Sequence, residues 1–409
     1  MAEVHPMALD DFTIIELADW RGEFCGKLLA GMGANVIKVE PPGGSPTRRI
    51  GPFYRDEPGA ERSLHFWHYN VGKKGITLDL ENGEGRGVFR ELLKKADLLL
   101  LTSRPGYLAD LGLGFETLQA DNPRLIVLAM SDFGETGPWR DYKGSDLVFL
   151  ALGGQTKICG YGPNADGEFD TPPIAPQMWQ SSHISCSMAT MDALAALWHQ
   201  RMTGRGQYID FSIHTAVNTC TENNLSVYEV GRMVSPRRPT YQGDILSKDG
   251  YNMITSGGLF PGEWEREAAM LDEYGMAEDL ADERYTIPSA RVKEMGHIND
   301  VRRKFIAQHN ADELMLDAQN RGVIWATVRP PEGSLNDEHF VGRGNFAEIE
   351  HSEVGKSFTY PASPWVSPAM PWRHGPRAPQ LGEHNDDVYR QLLGFEDSRL
   401  DAMRKSGVV

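Results

Sequence analysis

No apolar run in these 409 residues approaches the roughly 20 that a bilayer-spanning helix requires, which sets helical membrane proteins aside. The opening residues, Met1 to Asp11, carry no basic stretch followed by an apolar one, so no secretory leader is expected. Cysteine is scarce: Cys25, Cys159, Cys186 and Cys220 are widely spaced and form no Cys-x-x-Cys pair. So few thiols in so long a chain read as reduced cysteines of a cytoplasmic protein, not as a disulfide framework. The 12 histidines show no ligand-type spacing, which argues against a zinc site. Positive charge is in deficit, 41 Lys and Arg against 57 Asp and Glu, for a net charge of −16. That field repels nucleic acid and anionic membrane, so neither is an expected partner. A small polyanionic ligand would need a basic patch of its own. Low-complexity tracts and internal repeats are also missing.

What is present is the composition of a folded protein, 40% hydrophobic and 24% charged, long enough for two domains. Strand and helix patterns alternate. Strands are predicted at Thr13–Leu17, Val36–Val39, Ile76–Leu80, Leu98–Leu101, Leu125–Met130 and Leu147–Leu150, with helices at Glu23–Met32 and Gly85–Lys95. This alternation implies an α/β domain with a parallel sheet, and ligand binding at the carboxyl ends of its strands. A longer helix carries Ile184, Met188, Met191, Ala195, Trp198 and Met202 at steps of three and four. Met188, Met191 and Trp198 read as its core face. The helix stops at the glycine-punctuated Thr203-Gly204-Arg205-Gly206-Gln207, and Tyr208–Ile213 alternates as a strand. Beyond about residue 225 the elements shorten and charge, Pro and Gly increase. The expected organisation is a large Rossmann-like domain (1–224), a smaller α+β domain (225–330), and a segment (331–409) whose two closing helices return to the large domain.

Seven phrases, in order along the chain, carry more information. They are Gly33-Ala34-Asn35-Val36-Ile37-Lys38-Val39-Glu40-Pro41-Pro42-Gly43, Gly75-Ile76-Thr77-Leu78-Asp79-Leu80, Arg104-Pro105-Gly106, Asn122-Pro123-Arg124-Leu125-Ile126, Phe133-Gly134-Glu135-Thr136-Gly137-Pro138, the Thr203–Gln207 turn, and Leu381-Gly382-Glu383-His384. Together they resemble the class III (CaiB/BaiF-type) coenzyme A transferase family over nearly the whole chain. The resemblance implies a Rossmann-like large domain, a small domain and two interlocked protomers. It implies a coenzyme A thioester as substrate, with no covalently bound cofactor. It also assigns Lys38, Asn70, Lys73, Lys74 and Arg104 to the coenzyme A site, where cations and glycine-turn N–H groups would meet phosphate.

In that family an aspartate attacks the acyl-CoA thioester and forms a mixed anhydride. The returning CoA thiolate converts it to an aspartyl-CoA thioester, from which the acceptor carboxylate takes the CoA. The aspartate opens the helix that ends at the Thr-Gly-Arg-Gly-Gln turn. Counting back 21 residues from Thr203 lands on Ser182, within Trp179-Gln180-Ser181-Ser182-His183, where there is no acid. A serine would form an ester, which does not hand its acyl group to a carboxylate with comparable ease. Ser182 is therefore expected to be a helix N-cap, and no catalytic residue is assigned; Asp170 and Asp192 are the nearest acids. Asp110 stands where many relatives have a phosphate-facing arginine, and Ser145 where the racemase branch has its histidine. Trp20 replaces a small residue at the first strand-helix turn and reads as a core or interface tryptophan.

The resemblance is to the aspartate-lacking subunit of two-subunit enzymes that move CoA from an acyl-CoA such as succinyl-CoA to a carboxylic acid, an aromatic succinate among the candidates. The partner would be a paralogous subunit that carries the aspartate. Two alternatives stand beside it: an autonomous acyl-CoA enzyme using another nucleophile or acid/base, and an acyl-CoA-binding scaffold.

Overall fold

The structure is a computed structural model that describes residues 7–164, 166–237, 245–256 and 260–409. The chain divides into two units, one of Met1–Lys157, Ile174–Ser235 and Glu338–Val409, the other of Ile158–Pro173 and Pro236–Asp337.

The first unit is built on six parallel strands: β1 (Thr13–Leu17), β2 (Asn35–Glu40), β3 (Lys74–Thr77), β4 (Leu98–Leu101), β5 (Ile126–Ser131) and β6 (Tyr208–Ser212). Their order is β3-β2-β1-β4-β5-β6. The order reverses between β1 and β4, the position at which doubly wound sheets open a crevice for ligand. The strands read as apolar runs because both faces are covered. Ile14, Leu98, Leu100, Ile126 and Leu128 belong to one core, with Cys25 and Leu29 of α1 (Glu23–Gly31) and Ala189, Ala193 and Leu197 of the long helix. Ile15, Leu99, Leu101 and Val127 point to the other face. There they meet α2 (Leu64–Tyr69)'s successor in the chain, α3 (Gly83–Leu93), through Val88, Phe89 and Leu92.

The short helices α4 (Tyr107–Asp110) and α5 (Phe115–Asp121) follow β4, and α6 (Asp146–Leu152) and α7 (Gln155–Ile158) follow β5. The Leu147–Leu150 run, expected as a strand, lies inside α6. Ser145 caps that helix by accepting the Val148 N–H at 3.4 Å, and a short apolar run does not by itself distinguish strand from buried helix. β3 likewise ends at Thr77, earlier than expected.

The long helix is α8 (Gln180–Thr203). It buries its small residues, among them Ser181, Ser185, Ala189, Ala193 and Ala196, which let its backbone approach the sheet. The larger apolar residues lie elsewhere. Met191 and Trp198, expected in the core, are 59% and 66% exposed, and Met202 is 67% exposed. Met188 packs partly against the core, as do Ile184 and Leu194. Met191, Trp198 and Met202 therefore mark a second apolar face left uncovered among the described residues. α9 (Ile213–Asn218) and α10 (Glu222–Gly231) follow β6, and α10 buries none of its residues.

In the second unit, β7 (Met253–Thr255) pairs antiparallel with β8 (Trp325–Thr327). The helices α11 (Glu263–Glu273), α13 (Met295–Ile306) and α14 (Ala311–Asn320) share a core that includes Trp264, Leu271, Phe305 and Trp325, and α12 (Pro288–Lys293) precedes α13. After α15 (Glu338–Gly342) the chain forms a hairpin that the sequence pattern did not suggest, β9 (Phe346–His351) against β10 (Lys356–Pro361). A π-helical turn (Asp387–Leu392) and α16 (Asp397–Lys405) close the chain. This tail is tied to the first unit: His384 N–H donates to the Gly75 carbonyl at 2.9 Å, and Tyr389 Oη donates to Thr77 O at 2.6 Å. Trp372 lies so close over Gly31 that a Cβ there would stand 2.0 Å from the indole.

Candidate active site

The turns that leave β1, β4 and β5 at their carboxyl ends build a crevice of about 360 Å³. The Thr102 hydroxyl ties two of them together. It accepts the Asp19 N–H at 2.8 Å and donates to Asp19 Oδ1 at 3.1 Å. Arg21 is clamped between Asp19 (Nη2 to Oδ2, 2.8 Å) and Asp132 (Nη1 to Oδ1, 2.7 Å). Burial opposes the Arg21 charge, but the two carboxylates overcome it and raise its pKa. Asp132 also accepts the Gly144 N–H at 2.8 Å, which fixes the loop carrying Arg140 and Lys143 over the crevice. Both of these cations are exposed, and neither makes an ion pair among the described residues. Arg104 lines the same crevice, but its guanidinium is paired with Asp110 at 2.5 Å, both side chains being largely exposed. The acid that replaces a base in this segment thus neutralises the neighbouring arginine.

Three of the residues expected at coenzyme A lie beneath this surface. Lys38, Asn70 and Lys73 are fully buried. Lys38 Nζ contacts Glu16 Oε1 (3.1 Å), Glu23 Oε1 (2.8 Å) and the Ala18 carbonyl (2.7 Å), which occupies all three of its donors. Lys73 Nζ reaches Glu16 Oε2 (2.7 Å), the Glu23 carbonyl (2.8 Å) and Asn70 Oδ1 (2.9 Å). Burial raises the Glu23 carboxyl pKa, but Lys38 and Lys73 outweigh it and hold the group below its ordinary value. Two lysines and two glutamates therefore form a neutral buried quartet under the β1 turn. Gly26 lets α1 pass over it, since a Cβ at that position would lie 1.7 Å from Glu16 Oε2. Lys38 and Lys73, expected at coenzyme A, are thus engaged with protein groups, and Asn70 bonds Lys73 and the Phe66 carbonyl. Lys74 is half-buried at the start of β3. Of the five residues, Arg104 alone lines the crevice.

Ser182 lies in the first turn of α8 and is 2% exposed. It is not the N-cap: that residue is Trp179, at φ +59°, preceded by Met178 at φ +67°. Left-handed backbone at two non-glycine residues costs about 1–2 kcal/mol each, and such strain concentrates at functional sites. The orphan N–H groups of the helix find a partner in Asp146, whose Oδ1 accepts both the Ser181 N–H (2.8 Å) and the Ser181 hydroxyl (2.6 Å). An anion at a helix N-terminus is the favourable arrangement. Ser182 Oγ instead donates to the Trp20 carbonyl at 2.9 Å. His183 points another way: its Nε2 shares a hydrogen bond with Tyr69 Oη (2.9 Å), and its ring stacks on Phe24. No serine-histidine pair forms. Trp20 packs against Trp179 (centroids 5.4 Å apart), and Trp179 in turn meets His65 (4.9 Å), so an aromatic cluster surrounds the helix start. Asp170 lies in the second unit, bonded to Asn164, and Asp192 is exposed farther along α8. Sequence reasoning missed Arg21, Arg140, Lys143 and Asp146. Arg21, Arg140 and Lys143 sit in loops and Asp146 opens α6, and only the tertiary fold gathers them at the strand ends.

Strand order and a switch-point crevice rimmed by Arg140 and Lys143 define a Rossmann-type protein. Family comparison makes this specific. Residues 9–385 match the model described as CoA-transferase family III, and the chain belongs to that family. It is 30% identical over 406 residues to the succinyl-CoA:(R)-benzylsuccinate CoA-transferase subunit BbsE of Thauera aromatica, covering 97% of each chain. It is also 30% identical over 418 residues to succinyl-CoA–D-citramalate CoA-transferase of Chloroflexus aurantiacus, covering 99% of this chain and 98% of that one. The crystal structure of a CaiB/BaiF family protein from Brucella suis superposes with a TM-score of 0.81 at 26% identity, covering 95% of this chain and all of that one. Among the described residues no helix is long and apolar enough to cross a membrane, and no cluster of metal-ligating side chains occurs.

Proposed function

We propose that this chain is the aspartate-lacking subunit of a cytoplasmic, heteromeric CoA-transferase that moves CoA from succinyl-CoA to a carboxylic acid, with an aromatic succinate as the favoured acceptor. The observation that carries the reading is Ser182. At the position matching the family's nucleophile stands a buried hydroxyl already committed to the Trp20 carbonyl. A paralogous partner supplies the aspartate on which the anhydride and the aspartyl-CoA thioester form, in an interlocked dimer of unlike subunits. Two-subunit enzymes among the relatives support this, including BbsE and the alpha and beta subunits of succinyl-CoA–L-malate CoA-transferase of Chloroflexus aurantiacus. The uncovered apolar residues Met191, Trp198 and Met202 of α8, with Leu225 and Val230 of α10, supply a surface for that partner. In this reading Arg140 and Lys143 meet CoA phosphates, joined by Arg104 once it leaves Asp110; their position at the crevice supports it. The Trp20–Trp179 pair favours an acceptor with an aromatic ring.

One specific observation favours a second reading, in which the chain acts alone. The Asp146 carboxylate is held at the α8 N-terminus by Ser181, next to the position the nucleophile would occupy. A succinyl-CoA exchange assay with benzylsuccinate, run on the purified chain and on the chain with any co-purifying paralogue, separates the two. Activity only in the mixture supports the heteromer. Activity of the chain alone that disappears in Asp146→Asn supports the second reading and sinks the first.

A further inference from the structure

On the other side of the Arg104-Pro105-Gly106 turn lies a second cavity of about 400 Å³, within the range of small-molecule sites. Its walls are aliphatic residues, Leu108, Leu113 and Val127 among them, with three aromatic rings, and its charges are of one sign. Phe115, which opens α5, and Tyr208, which opens β6, meet edge to face with centroids 5.4 Å apart, and Tyr107 of α4 contributes a third ring. Glu116 and Glu135 are the charged residues in the lining. Both tyrosine hydroxyls are turned to carboxylates: Tyr208 Oη donates to Glu135 Oε2 at 2.6 Å, and Tyr107 Oη lies 3.5 Å from Glu81 Oε1. Both tyrosines line the cavity. Arg104, in the turn between the lining residues Ser103 and Gly106, is already paired with Asp110.

This lining is the opposite of what a CoA thioester needs, so the cavity is not an extension of the basic crevice, although Ser103 borders both. Aromatic faces carry negative quadrupole potential and bind cations, and adjacent carboxylates add to that field. We propose that this cavity is a binding site for a small organic cation with an apolar body, an aryl-alkyl or quaternary ammonium compound, held by Phe115, Tyr107 and Tyr208 and neutralised by Glu116 and Glu135. The site does not depend on which subunit carries the transferase aspartate.

Isothermal titration of the purified protein with phenethylammonium tests this, with 3-phenylpropionate as the anionic match and 3-phenylpropanol as the neutral one. Saturable binding of the ammonium compound alone is expected. It should weaken about fivefold in Glu135→Gln, which keeps an acceptor for the Tyr208 hydroxyl, and by a similar factor in Glu116→Gln. Far-UV circular dichroism establishes that the variants are folded, and Asp192→Asn on α8 serves as a remote charge control. Equal affinity for the neutral or anionic compound, absence of binding at millimolar concentration, or binding unchanged in both glutamate variants would overturn the proposal. So would binding by the isolated chain that vanishes in the complex with a paralogous subunit, since the cavity would then belong to the subunit interface.

Discussion

Ser182→Asp restores, in sequence, the carboxylate the family uses, and the structure says what it would meet. The side chain is 2% exposed and its hydroxyl donates to the Trp20 carbonyl. An aspartate there loses that hydrogen bond, a loss of about 1 kcal/mol. It also turns an anion toward a carbonyl oxygen, with Asp146 already occupying the helix N-terminus. A buried charge without a partner costs about 3–5 kcal/mol, and the helix N-terminus returns about 1 kcal/mol of it. The charge-dependent destabilisation at pH 7 is therefore about 2–4 kcal/mol, equivalent to a carboxyl pKa raised by about 2 units at 1.36 kcal/mol per unit, and the lost hydrogen bond brings the total to about 3–5 kcal/mol. A carboxyl whose folded pKa lies above its unfolded one penalises folding only while ionised. The loss is absent below the unfolded pKa of about 4 and grows as pH rises through the folded pKa near 6. Urea unfolding at pH 5 and pH 7 should show a deficit about 1 kcal/mol smaller at the lower pH. Ser182→Asn should show no such dependence. The isolated variant should remain inactive in succinyl-CoA exchange, since the Trp20–Trp179 pair still fills the neighbouring space. A pH-independent, fully stable and active Ser182→Asp chain would refute this account of the site.

The buried quartet yields a stability prediction: Lys38→Met leaves Glu16 and Glu23 short of a partner and should cost about 3–5 kcal/mol in urea unfolding. Lys27, buried on α1 with His68 Nε2 at 3.3 Å as its polar contact, has its pKa pushed down to about 7, by burial first and then by Lys73. The folded chain then holds fewer protons than the unfolded one between pH 7 and about 10.4, so stability from this group rises with pH across that window. The stability gap between Lys27→Met and the parent should shrink by about 2 kcal/mol from pH 7 to pH 9 in paired urea titrations. Lys143→Ala and Arg140→Ala should each weaken CoA binding about three- to tenfold, with a shallower salt dependence in calorimetric titrations, while leaving the unfolding midpoint unchanged.

How far the site was legible varied by residue. Lys38 was visible as important, but its ion pairs were not. A lysine at the end of a strand beside Glu40-Pro41 looks like a ligand contact, and nothing local reveals that Glu16 and Glu23, both outside its motif, converge on its amine. Ser182, reached by counting back from the Thr203 turn, lies in the first turn of α8. Its partner was not predictable, because Trp20 is 162 residues away in the chain. Met191 and Trp198 show the limit of periodicity. Steps of three and four identify a face of a helix, but not whether the unit or something outside it covers that face. The small residues that do face the core gave a weaker signal than the large ones that do not.

By itself the sequence determined the strand-helix alternation, the parallel sheet and the absence of an acid at the head of α8, because these depend on local periodicity and on motifs read in order. Tertiary structure alone decided which charges are free. Lys38 and Lys73 are consumed by carboxylates that the sheet brings within 3.1 Å, whereas Arg140 and Lys143 are left unpaired at the crevice. The physical reason is that a charge is defined by its partners and its exposure. Both are set by contacts between segments far apart in the chain, which no local pattern encodes.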